Sequence, residues 1–279
     1  MRIIVIALCC LTIVACQNKK ATNTEATNQS TTETDTVNKP IFKDSLKYSI
    51  VHFYKTTEKS RNPKDSSDYA YVKAVYPKFG DSQKYLSNKV LSIVTAEPWT
   101  GNKTYSLDKA SQSFFKDYLD FKKDYPDAPG GYTWDENLKV SFQDVNLVVF
   151  TAETYVYTGG AHGIGSTVYH NIDLKNQKEL TLKDLLVADY NKKLTAVAAS
   201  IFRKDEGITA DEPLDQYFFE NKVFKLNDNF AITAKGLLFT YNVYEIKPYS
   251  DGTTDLLIPY VAIKDLIKSN SFISKYVNK

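Results

Sequence analysis

His162 stands in the stretch Tyr157-Thr158-Gly159-Gly160-Ala161-His162-Gly163, between two runs of tyrosine and β-branched residues. Imidazole is the side chain that changes charge near neutral pH without perturbation. Here it could act as a general base, ligate a metal or make a contact. Nucleophilic chemistry needs a hydroxyl within reach of the base and a carboxylate to orient the ring. Ser166 and Glu153 are near in sequence, but no nucleophile-elbow pattern surrounds Ser166. A metal site could draw on His162, His170 and Asp173. Those two histidines flank a turn instead of sharing a helix face, and the chain has no His-x-x-x-His pair. No catalytic residue, metal ligand or cofactor is therefore assigned, and His162 is a base only under an enzymatic alternative. The third histidine, His52, lies in an alternating run and is expected as a half-buried strand residue. Glu245 and Asp251 lie near a late loop and are expected in solvent unless they converge on the turn.

The glycines suggest what positions His162. Glycine tolerates positive φ and close backbone approach. Gly159-Gly160, Gly163 and Gly165 allow a tight or bulged reversal between two long strands. Such a turn presents backbone N–H groups that could receive a carboxylate or phosphate. It could equally satisfy them internally, with His162 as a brace. The candidate binding face comprises Tyr157, Thr158, Gly159, Gly160 and His162, with Tyr249 from the late loop 247–253.

The flanking elements read mostly with a period of two. "LKYSIVHFYKTTE" and "DYAYVKAVYP" predict an antiparallel pair across a loop containing Pro63. Leu86, Val90 and Val94 predict a helix over 82–94. Ser106 predicts the cap of a second helix, with Leu107, Ala110, Phe114, Tyr118 and Phe121 as its stripe. "YPDAPGG" ends that helix and marks an internal boundary. The run 137–158 predicts strands apolar enough to be central, followed by a returning strand "STVYHNIDL". Helices are expected at 190–203, capped by Asp189, at 211–220 and at 262–268, with strands "NFAITA", "LLFTYNVYEI" and "DLLIPY" between. No regular βαβ repeat appears. The fold class expected is α+β, with mainly antiparallel sheets, packed helices and two intimately associated subdomains.

The N-terminus reads as a processing signal. Arg2 precedes an apolar run, Ile3 to Val14, shorter than the roughly 20 residues a membrane span needs. Ile13-Val14-Ala15-Cys16 resembles a bacterial lipobox, which implies cleavage before Cys16 and its lipidation. The three cysteines are Cys9, Cys10 and Cys16, so the folded part would carry no thiol for catalysis, zinc or redox sensing. The organisation expected is a signal peptide 1–15, a lipidated Cys16 with a disordered tether to 40, and subdomains 41–135 and 136–279. Net charge is +2, with 35 basic and 33 acidic residues, which gives no reason to expect nucleic acid as a partner.

"YVYTGGAHGIGSTVYHNIDLKNQKELTLKDLL" resembles the signature of a family of extracytoplasmic bacterial domains, of RsiV-like and PdaC-like type. The late "YEIKPYSDGTTDLLIPY" is similar to its closing pattern, and 41–135 resembles the domain that precedes it. The resemblance implies binding. RsiV-type members bind lysozyme, and PdaC-like members carry the region ahead of a peptidoglycan deacetylase module. This sequence departs from both, with no anti-sigma segment and no zinc-binding histidine pattern, and no catalytic residue carries over. The leading expectation is a lipid-anchored envelope protein that recognises a lysozyme-like muramidase or peptidoglycan and contacts the membrane through its lipid. An envelope hydrolase or deacetylase-like enzyme using His162, and a structural or assembly lipoprotein, are the alternatives. Gln17 after the cysteine, where an aspartate would favour inner-membrane retention, favours the outer membrane.

Overall fold

The computed structural model describes residues 45–57, 69–97, 104 and 106–277, and the backbone of a two-residue strand, β1 (Thr34–Asp35). The expected signal peptide, Cys16, the rest of the expected tether and the loop with Pro63 lie outside the described residues. The first two alternating runs form β2 (Tyr48–Thr56) and β3 (Tyr71–Phe79), an antiparallel pair. β1 pairs with the outer edge of β2. After β3 come α1 (Lys84–Val94) and α2 (Leu107–Asp124). The Ser106 hydroxyl accepts the Lys109 N–H at 3.4 Å, as the cap predicts.

Three long strands follow, β4 (Thr133–Asp144), β5 (Leu147–Tyr157) and β6 (Ile164–Asp173), then the short β7 (Lys178–Glu179). β1 to β7 make one sheet in chain order. Only β3 and β4 run parallel, and α1 and α2 supply the crossover such a pair requires. The expected division between residues 135 and 136 falls inside β4, in the middle of this sheet. β5 is central, as its apolar run predicts. Val148 and Phe150 pack on one face with Trp134, Leu86, Val90 and Phe114. Leu147 and Val149 pack on the other.

That second face is covered by the rest of the chain. α3 (Leu182–Leu185) is a single turn whose Asp184 accepts from the N–H and hydroxyl of Thr181 at 2.8 and 2.9 Å. α4 (Tyr190–Asp205) buries Leu194, Ala198 and Phe202. Asp189 occupies its cap position in the left-handed region, without a side-chain capping bond. A smaller sheet of β8 (Phe230–Ile232), β9 (Gly236–Tyr241) and β10 (Thr254–Pro259) is antiparallel throughout. The architecture is α+β with two cores, one on each face of a mostly antiparallel sheet. No described helix is long and apolar enough to cross a membrane.

Three expected elements differ. Residues 211–220 form no α-helix. The segment runs through turns, one closed by the Tyr217 N–H on the Leu214 carbonyl at 3.0 Å, and Tyr217 and Phe219 are buried on either side of the exposed Phe218. The expected closing helix is a 3-10 segment, Tyr260–Leu266, broken at Ile263. β9 stops at Tyr241 instead of running to Ile246, because the chain turns through Tyr244 at φ +66°.

The two sheets are joined by asparagines. The edge of β6 beyond β7 would present unpaired backbone groups, a liability in any sheet. Asn242 accepts from the Thr167 N–H (2.6 Å) and donates to the Thr167 carbonyl (3.1 Å). Asn229 accepts from the Tyr169 N–H at 3.0 Å. Asn171 reaches the other way, donating to the Phe230 carbonyl (2.7 Å) and accepting from the Ile232 N–H (2.8 Å). Two residues on, buried Asp173 accepts from the N–H groups of Lys175 and Asn176 and closes the turn into β7. The Asn-x-Asp spacing thus joins the sheets at one residue and caps a turn at the other.

Candidate functional site

β5 and β6 extend into a hairpin whose last strand pair is Val156 with Ile164. The connection bends at Gly159 (φ +98°) and Gly160 (φ +91°), in the region that favours glycine. Both glycines face open space, and the Tyr157 hydroxyl donates to the Gly160 carbonyl at 3.0 Å. Thr158 is exposed at the tip. Gly163 has a different role. A Cβ there would sit 2.5 Å from the Tyr155 ring and 2.7 Å from the Val156 carbonyl. Gly163→Ala should cost about 1–3 kcal/mol, the range for overpacking, and displace the neighbouring imidazole. Chemical denaturation and the His162 ring resonances would measure both effects.

His162 is exposed, and both ring nitrogens are engaged. Nδ1 lies 2.9 Å from the Gly163 carbonyl and Nε2 lies 3.2 Å from the Tyr244 hydroxyl. A carbonyl only accepts, so Nδ1 carries the proton, and Nε2 of the neutral ring accepts from Tyr244. The imidazole stacks on Tyr249 at 4.1 Å and 23°, with Tyr244 at 6.2 Å and 25°. The turn that ends β9 brings Tyr244 there. Glu245 stabilises that turn by accepting from the Asn242 N–H at 2.6 Å, and it also accepts from Asn227 at 3.0 Å. It is therefore a structural group, not a freely solvated carboxylate.

The other residues weighed for chemistry lie apart. Glu153 is paired with Lys139 at 2.6 Å. His170 Nδ1 meets Glu179 at 2.6 Å, and Asp173 is occupied in its turn. Among the described residues, no three His, Cys, Asp or Glu side chains converge as metal ligands. Asp251 accepts from Ser250 within its own loop, and His52 is half-buried on β2. Of the expected face, the structure brings His162 together with Tyr249. Tyr157 and Gly160 form the adjoining tip. Sequence reasoning missed Tyr244 because Asn242 to Ile246 read as strand. The available signal was Asn242 followed three residues later by Glu245, a spacing that suits a turn.

A second group lies on the helix-covered face. Glu136 of β4 is 4% exposed and lines a cleft of about 330 Å3 under α1, with Thr154 and Ser166 on the neighbouring strands. The Thr154 hydroxyl donates to Glu136 Oε2 at 2.7 Å, while Oε1 makes no hydrogen bond of good geometry. Burial pushes the carboxyl up to about 7, against the opposing pull of Thr154 and the Trp134 indole. At the cleft mouth, Glu179 takes Lys89 at 2.7 Å beside its contact with His170. Burial alone would raise the Glu179 carboxyl, but those hydrogen bonds hold it at about 2. Strand alternation contained the signal for Glu136, since Trp134, Glu136 and Leu138 share one face and both apolar residues are buried.

Residues 63–165 match the family model described as Deacetylase PdaC, and residues 183–261 match a protein family of unknown function, DUF3298. A solved DUF3298 family member from Bacteroides fragilis NCTC 9343 is 25% identical, with a TM-score of 0.67 over 84% of this chain and 98% of that one. A DUF3298 family protein from Pseudomonas aeruginosa PAO1 shares the fold at 22% identity, with a TM-score of 0.66 over 81% and 96%. None of the curated proteins matches this chain.

Proposed function

We propose that this chain, with its PdaC-like and DUF3298-like regions, is a binding protein of the cell envelope, anchored by a lipid on Cys16 and facing outward from the cytoplasm. Its ligand is a lysozyme-like muramidase or peptidoglycan. The observation that carries this reading is the imidazole of His162, stacked on Tyr249, bonded to Tyr244 and exposed at the hairpin tip. Flat aromatic surfaces of this kind suit sugar rings and protein anchors. The arrangement favours contact over general-base work, because both ring nitrogens are already engaged, by the Gly163 carbonyl and the Tyr244 hydroxyl, and among the described residues no carboxylate bonds to the ring. The name of the PdaC family model keeps the deacetylase-like alternative open, and its test is turnover of an acetylated glycan by native protein and by His162→Ala.

Retention of the protein on immobilised lysozyme and on purified sacculi is the direct experiment. Native protein should be held by at least one of them, and Tyr249→Ala should weaken that by about tenfold or more if the ring is an anchor. The affinity should change little between low and physiological salt, since aromatic contacts and not net charge supply it. Native protein that is folded and retained by neither would overturn the proposal. Mass spectrometry of the mature protein tests the anchor separately, and an unmodified Cys16 would remove it.

A further inference from the structure

Under α1, three neighbouring strands place oxygen-bearing side chains in one row. Glu136 stands opposite Thr154, and Thr154 opposite Ser166. Directly opposed residues of antiparallel strands hold their Cβ atoms about 4.5–5.5 Å apart. The row lines the cleft of about 330 Å3, and Ile93, Ala152 and Val168 supply apolar wall. The charged groups around Glu136 are Lys89 from α1, His170 from β6 and Glu179 from β7. The first two are turned to Glu179, and none of the three contributes to the shift of the Glu136 carboxyl. Glu136 is thus a buried acid with the Thr154 hydroxyl on one oxygen, the Trp134 indole beside it and no described cation paired with it. A neutral ligand could supply a donor. A primary ammonium supplies a donor and the missing charge, and its three N–H bonds can use more than one member of the row.

We propose that this cleft binds a small ligand through a primary ammonium group, seated against the Glu136 carboxyl with Thr154 and Ser166 alongside and its alkyl part on Ile93 and Val168. This goes beyond the hairpin reading and does not depend on it. The experiment titrates the full chain with n-butylammonium chloride, using n-butanol as the neutral isostere, and follows the Glu136 carboxyl carbon by NMR. Butylammonium should bind about tenfold more tightly at pH 8 than at pH 6, because the carboxyl ionises across that interval. Saturation should move the titration midpoint of Glu136 downward. Glu136→Gln should lose at least tenfold in affinity at pH 8, and Ser166→Val should lose severalfold while the fold stays intact. Equal binding of butanol, undiminished binding by Glu136→Gln, or no binding to native protein at pH 8 would each overturn the assignment. So would a His170→Gln variant that removes the pH dependence, since the titration would then belong to the imidazole.

Discussion

Glu136→Gln should stabilise the folded protein by up to about 3 kcal/mol at pH 8 and change it little at pH 4. The carboxyl titrates near 4.5 in the unfolded chain and at about 7 when folded, because burial penalises the anion. Between those values the unfolded chain has released the proton and the native state still holds it. Stability therefore falls as pH rises through this window and levels off above it. A shift of one unit corresponds to about 1.4 kcal/mol, so the full window is worth about 3 kcal/mol. Glutamine has the same shape and no charge to bury, and its amide can still take the Thr154 hydroxyl. Denaturant unfolding of both proteins at pH 4, 6 and 8 measures the effect. A variant less stable than native at pH 8 would mean that the folded protein stabilises the anion, contrary to the position of Glu136.

The opposite outcome is expected at Asn171. Asn171→Ala should cost about 2–6 kcal/mol, independent of pH between 5 and 8. The side chain is 2% exposed and serves two backbone groups of β8, the Phe230 carbonyl and the Ile232 N–H. Truncation leaves both without a partner in a dry interior, at about 1–3 kcal/mol for each. Denaturation gives the total, and hydrogen exchange localises it, since the Ile232 amide should exchange faster than those of central β5. Asn242→Ala should cost less, because its contacts with Thr167 are only part-buried and water can replace them.

These two residues mark the boundary of what sequence pattern conveys. The period of two located β2 to β6, and the spacing of Leu86, Val90 and Val94 located α1. The PdaC-like character of the resemblance was legible too, and the match spans residues 63–165. The 211–220 helix was misjudged because its apolar residues fit a helix, whereas the segment runs through turns, with Tyr217 and Phe219 buried. Within the candidate site, the glycines revealed the bend, and Tyr249 could be guessed as a neighbour. Tyr244 could not, because it reaches His162 only where β9 ends early.

By itself the sequence determined the types of the long strands and helices, the α+β class, the hairpin and the aromatic character of its tip. These follow from local rules, since alternation, helical spacing and positive-φ glycines act within a few residues of chain. Tertiary structure alone decided that Asn229 and Asn242 would seal the β6 edge, that Tyr244 would meet the Nε2 of His162, and that Thr154 would be the hydroxyl on Glu136 under α1. The long-range contacts among these join residues some 60 to 80 positions apart. The Glu136–Thr154 contact spans fewer positions, yet its chemistry depends on α1 closing over the sheet. A side chain's type sets which bonds it can make, while its partner and its exposure to water are set by which surfaces pack together.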